Sequence, residues 1–93
     1  MRRAAKTDRN HQQIVTGLRG IGAVVYYIKE PLDLLVGFRG NTTLLELKDG
    51  EKSASQKKLR PSQEKFFRTW NGGPAVVVEN LEEAFRAITQ PPK

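Results

Sequence analysis

The decisive stretch is Pro31-Leu32-Asp33-Leu34-Leu35-Val36-Gly37-Phe38-Arg39-Gly40-Asn41-Thr42-Thr43-Leu44-Leu45-Glu46-Leu47-Lys48-Asp49-Gly50. Two apolar runs flank a Gly-Asn pair, which is the pattern of a β-hairpin. Asp33 lies on the first arm, and Glu46 and Lys48 lie on the second. Charges set into apolar strands are costly unless a partner or a metal compensates them. Side chains alternate along a strand, so Glu46 and Lys48 share one face and Leu47 points to the other. With Gly40-Asn41 as the turn, Asp33 stands opposite Lys48. Glu46 is then its diagonal neighbour, at roughly 7–8 Å along the backbone. A three-residue Arg39-Gly40-Asn41 loop keeps this arrangement only with a bulge at Gly40. A one-residue slip would send Asp33 to the opposite face. Leu34, Leu45 and Leu47 load that opposite face as core.

Working outward, residues 8–19 read as a helix, with Asp8 or Asn10 as its cap and Ile14, Val15 and Leu18 as its apolar stripe. Gly20 and Gly22 end it. Residues 23–28 are β-branched and aromatic, hence a strand. Residues 49–60 are polar and read as a flexible loop of a length that is often functional. Pro61 suits the first turn of a helix that buries Phe66, Phe67 and Trp70 on one side. Asn71-Gly72-Gly73-Pro74 breaks that helix, and Ala75 to Val78 forms a short strand. Asn80 followed by Glu83 resembles a capping box for a last helix with Leu81, Ala84, Phe85 and Ile88 inward. The expected fold class is α/β (mixed α+β), a central mixed sheet flanked by helices in the order α-β-β-β-α-β-α. The expected division is a basic flexible N-terminus over 1–7, one domain over 8–89 and a tail over 90–93.

The chain has 93 residues, 16 Lys and Arg against 10 Asp and Glu, and a net charge of +6. That length implies one small domain with a modest core, which self-association, most commonly as a dimer, would support. The basic balance suits a phosphate-backbone partner. The sequence contains no cysteine, which excludes disulfides and thiolate metal sites. No apolar run approaches the roughly 18 residues of a membrane span. The basic N-terminus has no apolar stretch behind it, so no secretory signal is read. The expected location is the cytoplasm.

Asp33 with Glu46-Leu47-Lys48 resembles the PD-(D/E)xK nuclease superfamily. The longer string from Leu32 to Gly40, then Leu44 to Gly50, then Leu59-Arg60-Pro61-Ser62-Gln63, resembles small stand-alone phage-type members of its virus-type replication–repair nuclease (VRR-NUC) branch. Leu32 stands where that pattern has proline, and the glutamate of its first helix falls at Gln13. The resemblance implies a restriction-endonuclease-like core and a Mg²⁺- or Mn²⁺-dependent endonuclease acting on DNA, of Holliday junction resolvase type and working as a homodimer. It implies Asp33, Glu46 and the carbonyl of Leu47 as metal ligands, and Lys48 as the group orienting water and neutralising phosphate charge. Gln13 and Gln63 would complete the catalytic set. Lys57, Lys58, Arg60 and Arg39 are candidates for gripping DNA phosphates. Each of these has a plainer alternative: a salt bridge for Asp33, a solvated strand carboxylate for Glu46, a strand-end lysine for Lys48, and surface positions for the rest. His11 reads as a surface residue, though it and Gln12 are the neighbours that would take the place of Gln13 in a different helix register. Tyr26, Tyr27 and Trp70 read as core or interface residues rather than stacking platforms. Two further functions stay open: an inactive nuclease-fold DNA-binding protein, and a small basic protein-interaction module.

Overall fold

A computed structural model of the protein describes residues 6–49 and 58–90, with side chains from Arg9 onward. The elements follow the expected order: α1 (Lys6–Gly20), β1 (Val24–Tyr27), β2 (Leu34–Phe38), β3 (Asn41–Leu47), α2 (Pro61–Thr69), β4 (Ala75–Val78) and α3 (Leu81–Thr89). The four strands form one mixed sheet in the order β1-β2-β3-β4. The first three are antiparallel to their neighbours, and β4 runs parallel to β3.

Helix α1 begins at Lys6, so Asp8 and Asn10 lie inside it rather than at its cap. It buries Ile14, Val15 and Leu18, spaced to form one stripe. Its end is a Schellman motif. The Ala23 N–H donates to the Leu18 carbonyl at 3.1 Å and the Gly22 N–H to the Arg19 carbonyl at 3.0 Å. Gly22 takes the left-handed conformation this motif needs, with φ of 100°.

The hairpin turn is Arg39-Gly40, with Phe38 paired to Asn41 and Leu34 to Leu45. Both turn residues have positive φ, 54° and 84°. A two-residue hairpin turn of this kind favours glycine at its second position, which places Gly40 there and moves the turn one residue back from Gly40-Asn41. The paired register moves by two, an even number, so every side chain keeps the face expected of it. Extending the pairing sets Asp33 opposite Glu46 rather than opposite Lys48.

One sheet face carries Val25, Leu34, Val36, Phe38, Leu45, Leu47 and Val78, which pack with α1 and α3 into the core. Gly17 brings these two helices close, since a Cβ there would stand 2.5 Å from the Leu81 methyl groups. The N-cap of α3 is as expected: the Glu83 N–H donates to Asn80 Oδ1 at 2.9 Å. On the second sheet face, Val24 and Tyr26 of β1 are exposed. Helix α2 lies in the crossover between β3 and β4. Its aromatic side differs from expectation: Phe66 and Phe67 are half-buried, while Trp70 is 45% exposed. Trp70 stacks on Phe66, with ring centroids 5.1 Å apart, and its indole N–H donates to the Gly73 carbonyl at 2.7 Å. It closes the α2–β4 turn instead of filling the core.

Candidate functional site

The strand ends bring Asp33, Glu46 and Lys48 together, as alternation requires. Asp33 follows directly on Leu32, which is fully buried, and Asp33 Oδ2 accepts the Leu47 N–H at 2.8 Å. This bond ties the start of β2 to the end of β3. Glu46 lies on the second face and is 3% exposed. Its Oε2 stands 3.2 Å from Lys48 Nζ, and its Oε1 is buried with no hydrogen-bond partner among the described residues. Gln63, 1% exposed, enters from the first turn of α2. Its Oε1 accepts the Arg60 N–H at 3.2 Å, and its amide favours the charged form of the Glu46 carboxyl.

Burial, followed by the charge of Asp33, pushes the Glu46 carboxyl above its ordinary value of 4.5. The Gln63 amide and the Lys48 ammonium act in the opposite sense. The cluster therefore compensates a buried carboxyl internally, through an ammonium and an amide.

Gln13 is not part of it. That residue is exposed on α1 and lines a shallow groove with Arg9, Gln12, Thr16, Gly17 and Leu81. The α1 residue that reaches the cluster is Asn10, whose Nδ2 donates to the Lys48 carbonyl at 3.4 Å. Its signal in the sequence is its place four residues before Ile14, on the inward stripe, whereas Gln13 is a 100° step away from Ile14. His11 is half-buried rather than a surface residue, and its Nε2 has no hydrogen-bond partner among the described residues.

The donor set does not match Mg²⁺ or Mn²⁺. Such ions take six oxygen ligands in near-octahedral array, with free carboxylate oxygens anchoring them and waters filling the rest. Here only two carboxyl groups converge. One accepts the backbone N–H of Leu47, and the other is paired with Lys48. Among the described residues, no group of three or more His, Cys, Asp and Glu side chains could hold a metal ion.

No family model, curated protein or solved structure matches the chain. The expected membership of the PD-(D/E)xK superfamily and its VRR-NUC branch is therefore corrected. So are the metal-dependent, resolvase-like phage endonuclease activity and the Mg²⁺ or Mn²⁺ cofactor. The likeness was carried by an Asp and a Glu-x-Lys on two hairpin arms. In this fold the same pattern makes a strand-end lock, in which Lys48 supplies the positive charge assigned to a metal.

The charges elsewhere are unevenly placed. Among the described residues, the exposed cations are Arg9, Arg19, Lys29, Arg39, Lys58, Arg60, Lys65, Arg68 and Arg86, and the exposed acids are Glu30, Glu64 and Glu82. Two of those acids are paired, Glu30 with Arg60 at 3.5 Å and Glu82 with Arg86 at 3.1 Å. Asp33, Glu46, Asp49, Glu79 and Glu83 are wholly or partly buried. The described surface is thus more basic than the composition suggests. Arg39 sits at the hairpin tip, its guanidinium 4.9 Å from the Phe38 ring centre, and Lys58 and Arg60 precede α2. Lys57 lies outside the described residues. Among those residues, no helix is long and apolar enough to cross a membrane.

Proposed function

We propose that the chain is a non-catalytic DNA-binding domain that holds the phosphate backbone electrostatically. The observation that carries this reading is the segregation of charge, with acids drawn into the fold and cations left outside. A surface of one sign attracts a polyanion, and binding releases the counterions condensed on it. In this reading the core, restriction-endonuclease-like in its order of elements, serves as scaffold. Asp33, Glu46, Lys48 and Gln63 hold the strand ends and α2 in place. Arg39, Lys58 and Arg60, with Lys57, are the phosphate contacts.

The test is fluorescence anisotropy of a labelled DNA with wild type and with Arg39→Glu/Lys58→Glu, followed by a denaturing gel of the same mixtures in Mg²⁺ and in Mn²⁺. The expected result is weaker binding to every sequence, a salt slope reduced by about one per lost phosphate contact, and intact DNA. Unchanged binding in the double variant would overturn the reading.

A protein-interaction module, including a homodimer, is the second reading. It is favoured by the exposure of Val24, Tyr26, Tyr27 and Val77, at 56%, 62%, 56% and 38%. Sedimentation across a concentration series separates it from the first.

A further inference from the structure

The second sheet face holds a partly exposed platform at β1 and β2. Val25 and Val36 point into the core, so Val24 and Tyr26 alternate outward. Tyr26 pairs with the half-buried Leu35, and Val24 pairs with Gly37. A Cβ built on Gly37 meets nothing within 4 Å, so the backbone there is open to a flat ligand. Tyr26 is 62% exposed, the highest value among the described large hydrophobic side chains.

The exposed Lys29 follows β1 at one end of this platform; Arg39 follows β2 at the other end, its guanidinium over the ring of Phe38, a residue of the core face. At about 3.3 Å of rise per residue, these ends are roughly 20 Å apart, the reach of a few nucleotides. The free outer edge of β1 is partly occupied, because Arg19 donates to the Val25 carbonyl at 2.7 Å. Arg19 thus guards against an added strand and leaves the face of the sheet as the accessible surface. Trp70 cannot contribute a second platform, since Phe66 covers one side of it and a Cβ on Gly72 would stand 2.3 Å from its ring.

Duplex DNA keeps its bases stacked inside and has no use for an exposed aromatic ring. An unpaired base does, because every base offers a π-face to stack upon. A neutral aromatic platform with Lys29 at one end, on a surface rich in positive charge, matches one polymer class: bases for the ring and phosphates for the surrounding cations. A second copy of this basic chain would bring cations to cations. We infer that the Val24–Tyr26–Gly37 face binds single-stranded nucleic acid, with Tyr26 as its stacking residue. This rests on the nucleic-acid reading above and narrows it to a strand type.

The experiment measures anisotropy of a labelled oligothymidine and of a matched duplex with wild type, Tyr26→Ala, Tyr26→Phe and Tyr27→Ala. Tyr27 is the control, since it is 56% exposed but faces the opposite side of β1. Far-ultraviolet circular dichroism checks that all variants fold. The expected result is tighter binding of the single strand. Tyr26→Ala should weaken it about 5- to 150-fold, the range for losing one stacked base, while Tyr26→Phe stays near wild type. Tyr27→Ala and duplex binding should change little. Equal or tighter binding of duplex, or a Tyr26→Ala variant equal to wild type on the single strand, would overturn the inference but leave the DNA reading in place. Absence of binding to either would overturn both. A dimer lost in Tyr26→Ala, with no strand preference, would assign the face to a second copy and also overturn it.

Discussion

Gln63→Leu tests whether the buried cluster is a structural lock. The substitution keeps nearly the same volume at a site 1% exposed, so packing changes little. It removes two interactions. The first is the hydrogen bond from the Arg60 N–H, at 3.2 Å, which secures the start of α2. A bond of that type contributes about 1 kcal/mol. The second is the amide that supports Glu46, whose Oε1 already lacks a partner among the described residues. Hydrogen bonds to charged groups contribute about 1.5–3 kcal/mol. The loss should total about 2–4 kcal/mol, or roughly 10–30 °C in melting temperature for a domain of this size. Thermal melts followed by circular dichroism at pH 7 and pH 4 measure it. The loss should be smaller at pH 4, where a protonated Glu46 needs less support. It should also be smaller in a Glu46→Gln background, with a coupling energy of about 1–3 kcal/mol in the double-mutant cycle. Equal losses in both backgrounds would show that Gln63 does not serve Glu46, and the lock would have to be abandoned.

Three other outcomes follow from the same structure. Glu46 has a folded-state pKa raised by burial, so its contribution is full below the unfolded value and is lost as pH rises through the folded one. Wild type should therefore lose stability upward from about pH 4.5 relative to Glu46→Gln, whose urea-melt profile over that window should be flatter. Gly22→Ala should cost about 1–2 kcal/mol by forcing a side chain into the left-handed region, and Gly20→Ala, which meets nothing within 4 Å, should be neutral or stabilising by comparison. Leu45→Ala, at a fully buried site in the middle of the sheet, should cost about 2–5 kcal/mol by chemical denaturation. A cost below about 1 kcal/mol would show that the core is not centred on β3.

Most of the fold was legible because its signals are local. Pro61 opens α2, Asn80 with Glu83 starts α3, and the leucine and valine alternation assigns one face of each strand to the core. The turn was displaced by one residue because glycine at the second turn position, with Arg39 accepting positive φ before it, was weighed less than the Gly-Asn pair. Asn10 reaches the Lys48 carbonyl because it lies four residues before Ile14 on the inward stripe, whereas the resemblance points to Gln13, whose side chain is exposed. The metal reading failed for a related reason. Residue types in sequence show that charges converge, but they do not show that Asp33 is taken by the Leu47 N–H or that Lys48 already stands 3.2 Å from Glu46. Trp70 and Tyr26 look alike in composition. Only the packing separates a ring clamped between Phe66 and Gly72 from one left open on the sheet.

The central claim is that exposed cations, and not metal chemistry, define what the chain does. The most direct measurement is the salt dependence of DNA binding by anisotropy, from low to physiological ionic strength. For a contact set of three to five phosphates, the plot of log affinity against log salt should be linear with a slope of roughly −2 to −5, and the DNA should remain intact with Mg²⁺ or Mn²⁺. A slope near zero, no binding at low salt, or metal-dependent cutting of the DNA would contradict the account.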